Sequence, residues 1–216
     1  MSRVTNDHLL KQLHWRYACQ KFDSTKIIRE ADWSVLIETL RLTPSSYNIQ
    51  PWKFIVVQNK ELRQQLFENS YKQSPVIDAS HFVVLTYKEK MDEAHIDKHI
   101  EQMIKLRGGD ASTYERYRRG AVRDLVTGPL SQSIHHWAQK QCYIAMGTFL
   151  TTASLMEIDA LPMEGINTAG YDKVLQLDGS GYKSVAAIAA GYRHPDDKYI
   201  TIPKVRFDAE DVIVTK

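Results

Sequence analysis

The chain contains only two cysteines, Cys19 and Cys142, in 216 residues. A disulfide framework or a zinc site needs more thiols than that, and so low a count is typical of proteins from a reducing compartment. No apolar run approaches the ~18 residues of a membrane span, and the segment from Met1 to Asp7 lacks the apolar core of a secretory signal. These absences predict a cytoplasmic protein without a membrane segment.

The chain also lacks a strong excess of charge. Its 28 Lys and Arg residues nearly balance its 26 Asp and Glu residues, which leaves a formal net charge of +2. Binding of nucleic acid or acidic lipid through bulk charge requires a larger positive excess. We therefore expect neither nucleic acid nor membrane as a partner. Positive charge matters here only where it converges on a site.

Glycine-rich nucleotide motifs are missing as well. The sequence has no G-x-G-x-x-G after a strand, no G-x-x-x-x-G-K-[ST], no G-x-S-x-G, no H-E-x-x-H and no C-x-x-C. These absences argue against a Rossmann dinucleotide site, a P-loop, a serine-hydrolase elbow and a zinc site. If a phosphate-bearing cofactor binds, side chains such as Arg16, Lys204 and Arg206 must hold its phosphate.

The composition, 43% hydrophobic, is that of one globular domain over residues 1–216, or of one protomer of a dimer. Apolar periodicity predicts helices over 8–16, from an N-cap at Asp32 through Leu40, from Lys60, over 92–127 with a break at 107–110, over 131–157 and over 171–177. Apolar runs predict buried strands over 54–57, 82–87 and 182–192. Residues 212–214 are predicted as an edge strand that could pair across a dimer. Small residues along the 131–157 helix place it at the centre of the protein or of a dimer interface.

The segment from Thr43 to Phe54 is a polar loop between a helix and a strand. Its prolines remove backbone donors, and its serines and asparagine offer hydrogen bonds that compete with regular structure. Hydroxyl, amide and free backbone groups beside Trp52 suit a flat ligand with polar edges, such as a flavin or a base. A plain helix-to-strand connection needs several of the same residues, so both interpretations stay open for this segment taken alone.

Individual cationic side chains could either bind a phosphate or be ordinary structural or solvated residues. Arg16 could hold a phosphate through a charge-assisted fork, but a lone arginine is more often structural or solvated. Lys204 and Arg206 lie on the same side of an extended tail, where they form either a phosphate clamp or an ordinary exposed pair. The basic run from Arg116 to Arg123 has acidic neighbours, which favours a solvated helix face. His135 and His136 have no Cys, Asp or Glu at metal-ligand spacing, and no metal site is predicted.

Several sequence blocks occur together in one order. They are Arg16-Tyr17 with Phe22-Asp23, Pro44-Ser45-Ser46-Tyr47-Asn48-Ile49-Gln50-Pro51-Trp52, Asp78-Ala79-Ser80-His81, Trp137 with Lys140-Gln141, Met163-Glu164-Gly165, and Lys204-Val205-Arg206. This ordered set resembles the nitroreductase family, in particular its oxygen-insensitive NAD(P)H nitroreductase and dihydropteridine reductase branch. The resemblance implies an α+β fold with a mixed central sheet wrapped by helices. It also implies an intertwined homodimer with two FMN sites at the subunit interface.

The resemblance assigns FMN contacts to individual positions. They are Arg16, Tyr17, Ala18, Gln20, Pro44, Ser45, Ser46, Asn48, Lys72, Glu164, Gly165, Lys204 and Arg206. Arg16, Lys204 and Arg206 stand at the phosphate side, and the 44–48 loop reaches FMN from the other subunit. The backbone at Glu164 and Gly165 is expected to face flavin N5. No catalytic side chain is implied, because the chemistry takes place on FMN.

Two positions depart from the pattern of the family. Gln20 stands where relatives often carry Lys beside the pyrimidine edge of the flavin, and Lys72 stands where they often carry Asn. A fixed cation near N1 and O2 stabilises the anionic reduced flavin. The hypothesis is that Lys72 supplies this cation, or alternatively that Lys21 does.

The resemblance implies an FMN-dependent oxidoreductase that takes hydride from NADH or NADPH by ping-pong chemistry. Implied acceptors are nitroaromatics, quinones, free flavins or pterins. The alternatives are a flavoenzyme of the same fold with other chemistry, such as dehalogenation or flavin breakdown, a non-catalytic FMN-binding or sensory dimer, and a member that has lost flavin. No ribose-reading motif separates NADH from NADPH.

Overall fold

The centre of the fold is a four-stranded sheet in the order β1-β2-β4-β3. The computed structural model describes residues 4–216. The strands are β1 (Trp52–Val56), β2 (His81–Lys88), β3 (Asp159–Met163) and β4 (Tyr182–Gly191). All three pairings between these strands are antiparallel. The predicted α+β class is confirmed, and a parallel pairing is recorded only as an isolated bridge between Ala18 and Ala160.

The helices are α1 (Asn6–Trp15), α2 (Glu30–Leu42), α3 (Lys60–Glu68), α4 (Pro75–Asp78), α5 (Glu93–Arg107), α6 (Ala111–Val122), α7 (Ile134–Leu155), α8 (Thr168–Val174) and α9 (Ala209–Val212). Single turns of tighter helix cover Ser46–Asn48 and Pro129–Ser133, and a π-helical segment covers Arg123–Thr127. The predicted break between the two helices of the 92–127 segment is confirmed, because α5 ends at Arg107 and α6 begins at Ala111.

Two apolar layers cover the two faces of the sheet. On β2, Val83 and Leu85 join the cluster beneath α2 and α7, whereas Phe82 and Val84 join the cluster beneath α3 and α8. This alternation follows from the two-residue period of a strand. On β4, the alanines from 186 to 190 are buried, and their small side chains let the helices approach both faces. The predicted buried strands at 82–87 and 182–192 are therefore confirmed.

Helix α7 is the longest helix, with 22 residues, and it packs across the sheet. Ala145, Phe149 and Ala153 are fully buried, which confirms the predicted apolar stripe. On its other side, Tyr143 is 37% exposed and Ile144 is 45% exposed. Neither α7 nor any other helix within residues 4–216 combines the length and apolar character needed to cross a bilayer.

Some predicted boundaries and burial patterns were wrong. Helix α2 begins at Glu30 after Arg29, and Asp32 lies in its first turn, where it accepts from the Arg29 guanidinium at 2.7 Å instead of capping the helix. Strand β1 is not buried on both faces, because it lies at the edge of the sheet and Lys53 is exposed. Such an edge position depends on strand order, which local apolar content does not specify.

Two further differences concern strands. Strand β3 was not predicted, because Pro162 lies within it and proline argues against a strand. Conversely, Val212 ends the short helix α9, and Ile213 and Val214 are 67% and 73% exposed without forming a strand. The predicted edge strand is therefore wrong for this chain taken alone. Pairing of the segment with a second copy stays a prediction.

Candidate functional site

The segment from Arg16 to Lys21 lies along the sheet edge, where Ala18 forms its parallel bridge to Ala160. The buried carboxylate of Asp197 accepts from the backbone N–H groups of Gln20 at 2.9 Å and Lys21 at 3.1 Å. It also accepts from the Tyr17 hydroxyl at 3.0 Å. Burial opposes ionisation of Asp197, but the hydrogen bonds that it accepts keep its pKa below the ordinary value. The backbone of the segment is thereby fixed.

An ion pair between Arg193 and the buried Asp159 supports the same segment. Arg193 donates from Nε to Asp159 at 2.8 Å, and its backbone N–H donates to the same carboxylate at 2.8 Å. The guanidinium also lies 4.1 Å from the ring centroid of Trp15 and 4.6 Å from that of Tyr17. Arg193, Asp159 and Asp197 were missed by sequence reasoning, since nothing in their local pattern distinguishes them from surface charges.

The three cations predicted for the phosphate side come together at the end of α1. The Lys204 ammonium donates to the carbonyl oxygens of Leu13 at 2.6 Å and Arg16 at 2.5 Å. Lys204 thus satisfies carbonyls that the helix end leaves free, as cations commonly do there. Burial, followed by the charge of Arg206, lowers the pKa of Arg16. Burial and then the charges of Arg16 and Arg206 lower the pKa of Lys204.

No carboxylate within residues 4–216 forms an ion pair with Arg16, Lys204 or Arg206. The Arg16 guanidinium is half-buried, and in that described part of the chain no acceptor takes its N–H groups. Positive charges that repel one another without a counter-charge favour a bound anion, and guanidinium matches phosphate geometry. This corner fits the phosphate of FMN.

The 44–50 loop is held from outside by other elements. The Ser46 N–H donates to Oε1 of the buried Gln141 on α7 at 2.9 Å. The Tyr47 hydroxyl donates to Asp124, and the Tyr117 hydroxyl donates to the Tyr47 carbonyl. Ser45 is half-buried, and its hydroxyl accepts from the Gln50 N–H at 2.9 Å. The side chains of Pro44, Ser46 and Asn48 stay exposed and are free to contact a ligand.

Two further loops, 69–73 and 164–167, meet just after the end of β3. The Gln73 amide donates to the Gly165 carbonyl at 2.8 Å, and the Asn167 N–H donates to the Asn69 carbonyl at 2.8 Å. These contacts bring the turn at Tyr71 and Lys72 beside Gly165. Within residues 4–216, the Gly165 N–H and the exposed Lys72 ammonium have no hydrogen-bond partner.

Glu164 beside this glycine is exposed, and its carboxylate lies near the Tyr143 hydroxyl of α7. Burial, followed by the neighbouring carboxylate of Glu164, raises the pKa of Tyr143. Tyr143 therefore stays a neutral phenol at physiological pH. Sequence reasoning treated position 143 only as part of a long helix and missed this contact.

Left-handed backbone is concentrated in the 44–50 loop and in the turn at Tyr71 and Lys72. Seven residues other than glycine in the described range have positive φ. Five of them lie in these loops: Tyr47, Asn48 and Gln50 in the first, Tyr71 and Lys72 in the second. Each such residue costs roughly 1–3 kcal/mol and persists only where its surroundings enforce it, often at functional sites. Backbone strain thus supports a functional role for both loops.

Helix α7 is in contact with the first loop and lies near Glu164. Gln141 accepts from the Ser46 N–H, and Tyr143, two residues further on, lies near Glu164. Residues two apart on a helix are separated by about 200° around its axis. Within one protomer, the first loop and Glu164 therefore lie on different sides of α7, and no hydrogen bond or ion pair in the described structure joins residues 44–48 to Arg16 or to Gly165.

An open pocket of about 560 Å³ lies elsewhere, between α5 and the start of β1. Its walls include Trp52, Lys53, His95, Lys98, Lys105 and Tyr182. None of the thirteen predicted FMN contacts lines it. The pocket and the predicted cofactor contacts are distinct features of the protomer. In residues 4–216, no group of three or more His, Cys, Asp or Glu side chains is placed to hold a metal ion.

Solved structures with the same fold are known. A solved Bacillus subtilis protein described as "putative nitroreductase ydfN" matches with a TM-score of 0.86 at 17% identity, covering 98% of this chain and 100% of its own. A "putative nitroreductase" from Exiguobacterium sibiricum, solved in complex with FMN, matches with a TM-score of 0.80 at 17% identity, covering 100% and 99%. These likenesses show the fold.

Sequence comparison identifies the family. A Staphylococcus epidermidis protein named "putative NAD(P)H nitroreductase" is 34% identical over 221 residues, which cover 96% of each chain. The family model described as "Nitroreductase family" matches residues 13–192. The chain belongs to the nitroreductase family.

Proposed function

We propose that the protein is an FMN-dependent NAD(P)H oxidoreductase that transfers two electrons to a small-molecule acceptor in the cytoplasm. The observation that carries this proposal is the cation corner of Arg16, Lys204 and Arg206, which has no carboxylate counter-charge in the described structure. A phosphate group would supply that charge. The family, the names of its relatives and the FMN-bound structural neighbour support the same conclusion.

The working unit is a homodimer, and two observations support this. The 44–48 loop and Glu164 lie on different sides of α7, which supports a second copy as the source of the loop that contacts the same FMN. The tail exposes large apolar side chains, with Val205 84% exposed and Phe207 80% exposed. Apolar groups clustered in this way are typical of surfaces that a partner covers.

Each part of the site has a distinct task. FMN, when bound, supplies the two-electron chemistry at N5, with NADH or NADPH as the donor. Arg16, Lys204 and Arg206 would hold its phosphate, and the free Gly165 N–H would be available to donate to N5. Ping-pong kinetics would follow if donor and acceptor bind in turn. Since no side-chain acid or base is required, solvent delivers the proton. Nitroaromatics, quinones, free flavins and pterins are the acceptor classes that we propose.

The cation near the pyrimidine edge is Lys72 rather than Lys21. Lys21 points to the Asp196 carboxylate at 3.5 Å, and the Gln20 amide turns back to the Ala18 carbonyl at 3.2 Å. Lys72, by contrast, is exposed beside Gly165 and unpaired in the described structure. Replacing Lys72 with Asn should lower the flavin midpoint potential, because the cation that stabilises the anionic reduced form is lost. A spectroelectrochemical titration that gives an unchanged potential would contradict this assignment.

The test of the proposed function is the visible spectrum of the purified protein before and after anaerobic NADH, and then NADPH. Flavin absorbance that bleaches with either donor establishes the reductive half-reaction. Bound flavin that stays oxidised favours the non-catalytic FMN-binding dimer. Slow turnover of NAD(P)H with tightly bound FMN points to other chemistry on the same fold, and a protein that takes up no FMN overturns the proposal.

A further inference from the structure

Gln73 connects two loops that are far apart in the sequence. Its side-chain amide Nε2 donates to the Gly165 carbonyl at 2.8 Å and to the Ser70 carbonyl at 3.0 Å. Its backbone N–H also donates to the Ser70 carbonyl, at 3.1 Å. The nitrogen of the amide group is therefore held between two carbonyl oxygens, which limits its freedom to rotate.

The base of this connection is rigid. Ser70 is fully buried, and its hydroxyl lies 2.6 Å from the Leu66 carbonyl and 2.6 Å from the Tyr171 hydroxyl. Tyr171 is itself fully buried in the apolar layer beneath α3 and α8. Buried hydrogen bonds of this kind specify one geometry, since breaking them leaves polar groups without partners. Gln73 thus links the Gly165 loop to the buried core through Ser70.

The Gly165 loop is shaped to receive that contact. The Ile166 N–H donates to the Glu164 carbonyl at 2.7 Å, which makes Gly165 the centre of a three-residue turn. A side-chain carbon added at Gly165 would stand 3.3 Å from the Gln73 Nε2, a contact tight enough to displace the amide. The absence of a side chain at position 165 lets the Gln73 amide lie directly against the backbone.

We propose that Gln73 is a positioning residue, which fixes the Gly165 peptide so that its N–H group is presented to flavin N5. The inference rests on the proposed function, since it concerns how this chain orients its own backbone toward FMN. The Gly165 carbonyl is engaged by Gln73, whereas the Gly165 N–H has no partner within residues 4–216. Gln73 does not touch the reacting atoms, and it acts through the glycine.

Loss of the Gln73 donor has a predictable direction. Flavin N5 is a better hydrogen-bond acceptor before it receives hydride than afterwards. A loosened Gly165 N–H therefore weakens binding of oxidised FMN more than binding of reduced FMN, and the midpoint potential rises. Lys72→Asn is expected to lower the midpoint potential instead. The sign of the change in potential therefore distinguishes the role of Gln73 from that of Lys72.

The test compares Gln73→Met, which keeps the length of the side chain without its donor, with Gln73→Glu, which keeps its shape. Gln64→Met serves as the matched control, because Gln64 is an exposed glutamine on nearby α3 without a hydrogen-bond partner in the described structure. Thermal unfolding of all variants verifies that they fold. We expect both Gln73 variants to raise the FMN dissociation constant ~5- to 10-fold, the usual effect of one lost hydrogen bond. The midpoint potential should rise in Gln73→Met, which adds no charge, and the control should match the wild type.

Hydrogen exchange on the flavin-free protein gives a second readout. Because Ile166 and Asn167 donate within the 69–73 and 164–167 loops, their amides should exchange faster in the Gln73 variants than in Gln64→Met. Unchanged affinity, potential and exchange in a wild-type protein that does bind FMN would overturn the role of Gln73. A wild-type protein that takes up no FMN would instead refute the proposed function.

Discussion

The two strained loops of the site are held in different ways. The 44–50 loop is fixed from outside, by Gln141 of α7 and by Tyr117 and Asp124. The turn at Tyr71 and Lys72 is instead closed on its own chain, through Ser70 and Gln73, and then joined to Gly165. The first loop therefore depends on the packing of distant helices, while the second belongs to the same unit as the backbone that it positions.

This difference matches the direction in which each loop presents its side chains. The 44–50 loop lies on a different side of α7 from Glu164, so rigid support from its own helices suits a loop that we propose contacts the FMN of a second copy. The Tyr71 turn lies beside Gly165 of its own chain, and Tyr71 is 77% exposed there. Three measurements can break or sharpen this contrast.

The largest effect is expected from Gln141→Leu. The Gln141 side chain is 5% exposed, accepts from the Ser46 N–H and donates to the Trp137 carbonyl at 3.1 Å. Leucine loses both bonds, so the free energy of unfolding should fall by ~1–2 kcal/mol. Urea unfolding at one fixed protein concentration measures this, with the exposed Gln102→Leu on α5 as the control. Equal values for the two variants would show that α7 does not hold the loop.

A smaller effect on stability is expected when Lys72 is replaced by glycine or by alanine. The difference between the two variants should have the opposite sign at Lys98. The φ of Lys72 is +56°, a region that costs an alanine ~1 kcal/mol but suits glycine. Lys72→Gly should therefore be more stable than Lys72→Ala by about that amount. At Lys98, inside α5, alanine should be more stable than glycine by ~1 kcal/mol. The same order of stability at both positions would exclude a left-handed Lys72 in solution.

The smallest effect is expected for Tyr47→Phe. The Arg123 guanidinium and then the Tyr47 hydroxyl lower the pKa of Asp124 to about 2. Because this folded pKa lies below the ordinary carboxylate value, the associated stability is present near neutral pH and is lost as pH falls toward 2. Tyr47→Phe should raise the Asp124 pKa only part of the way, since Arg123 remains. An NMR titration of the carboxylate that gives the same pKa in both proteins would show that the hydroxyl does not reach it.

Much of the fold could be predicted, because apolar periodicity is a local property. The central strands β2 and β4, the break before Gly108 and the long α7 all followed from residues within a short window. The failures occurred where distant parts of the chain decide. Proline obscured β3, and the exposed face of β1 depends on which strand lies beside it.

The sequence by itself determined the family, the α+β class and the chemical types of the site residues. Only the tertiary structure placed Lys204 on the carbonyls at the end of α1 and Gln73 on the carbonyl of Gly165. It also put the 44–50 loop and Glu164 on different sides of α7. The physical reason is that periodicity and turn chemistry act over a few residues. A hydrogen bond between residues 92 or 191 positions apart forms only once the packed core has set the distance between them.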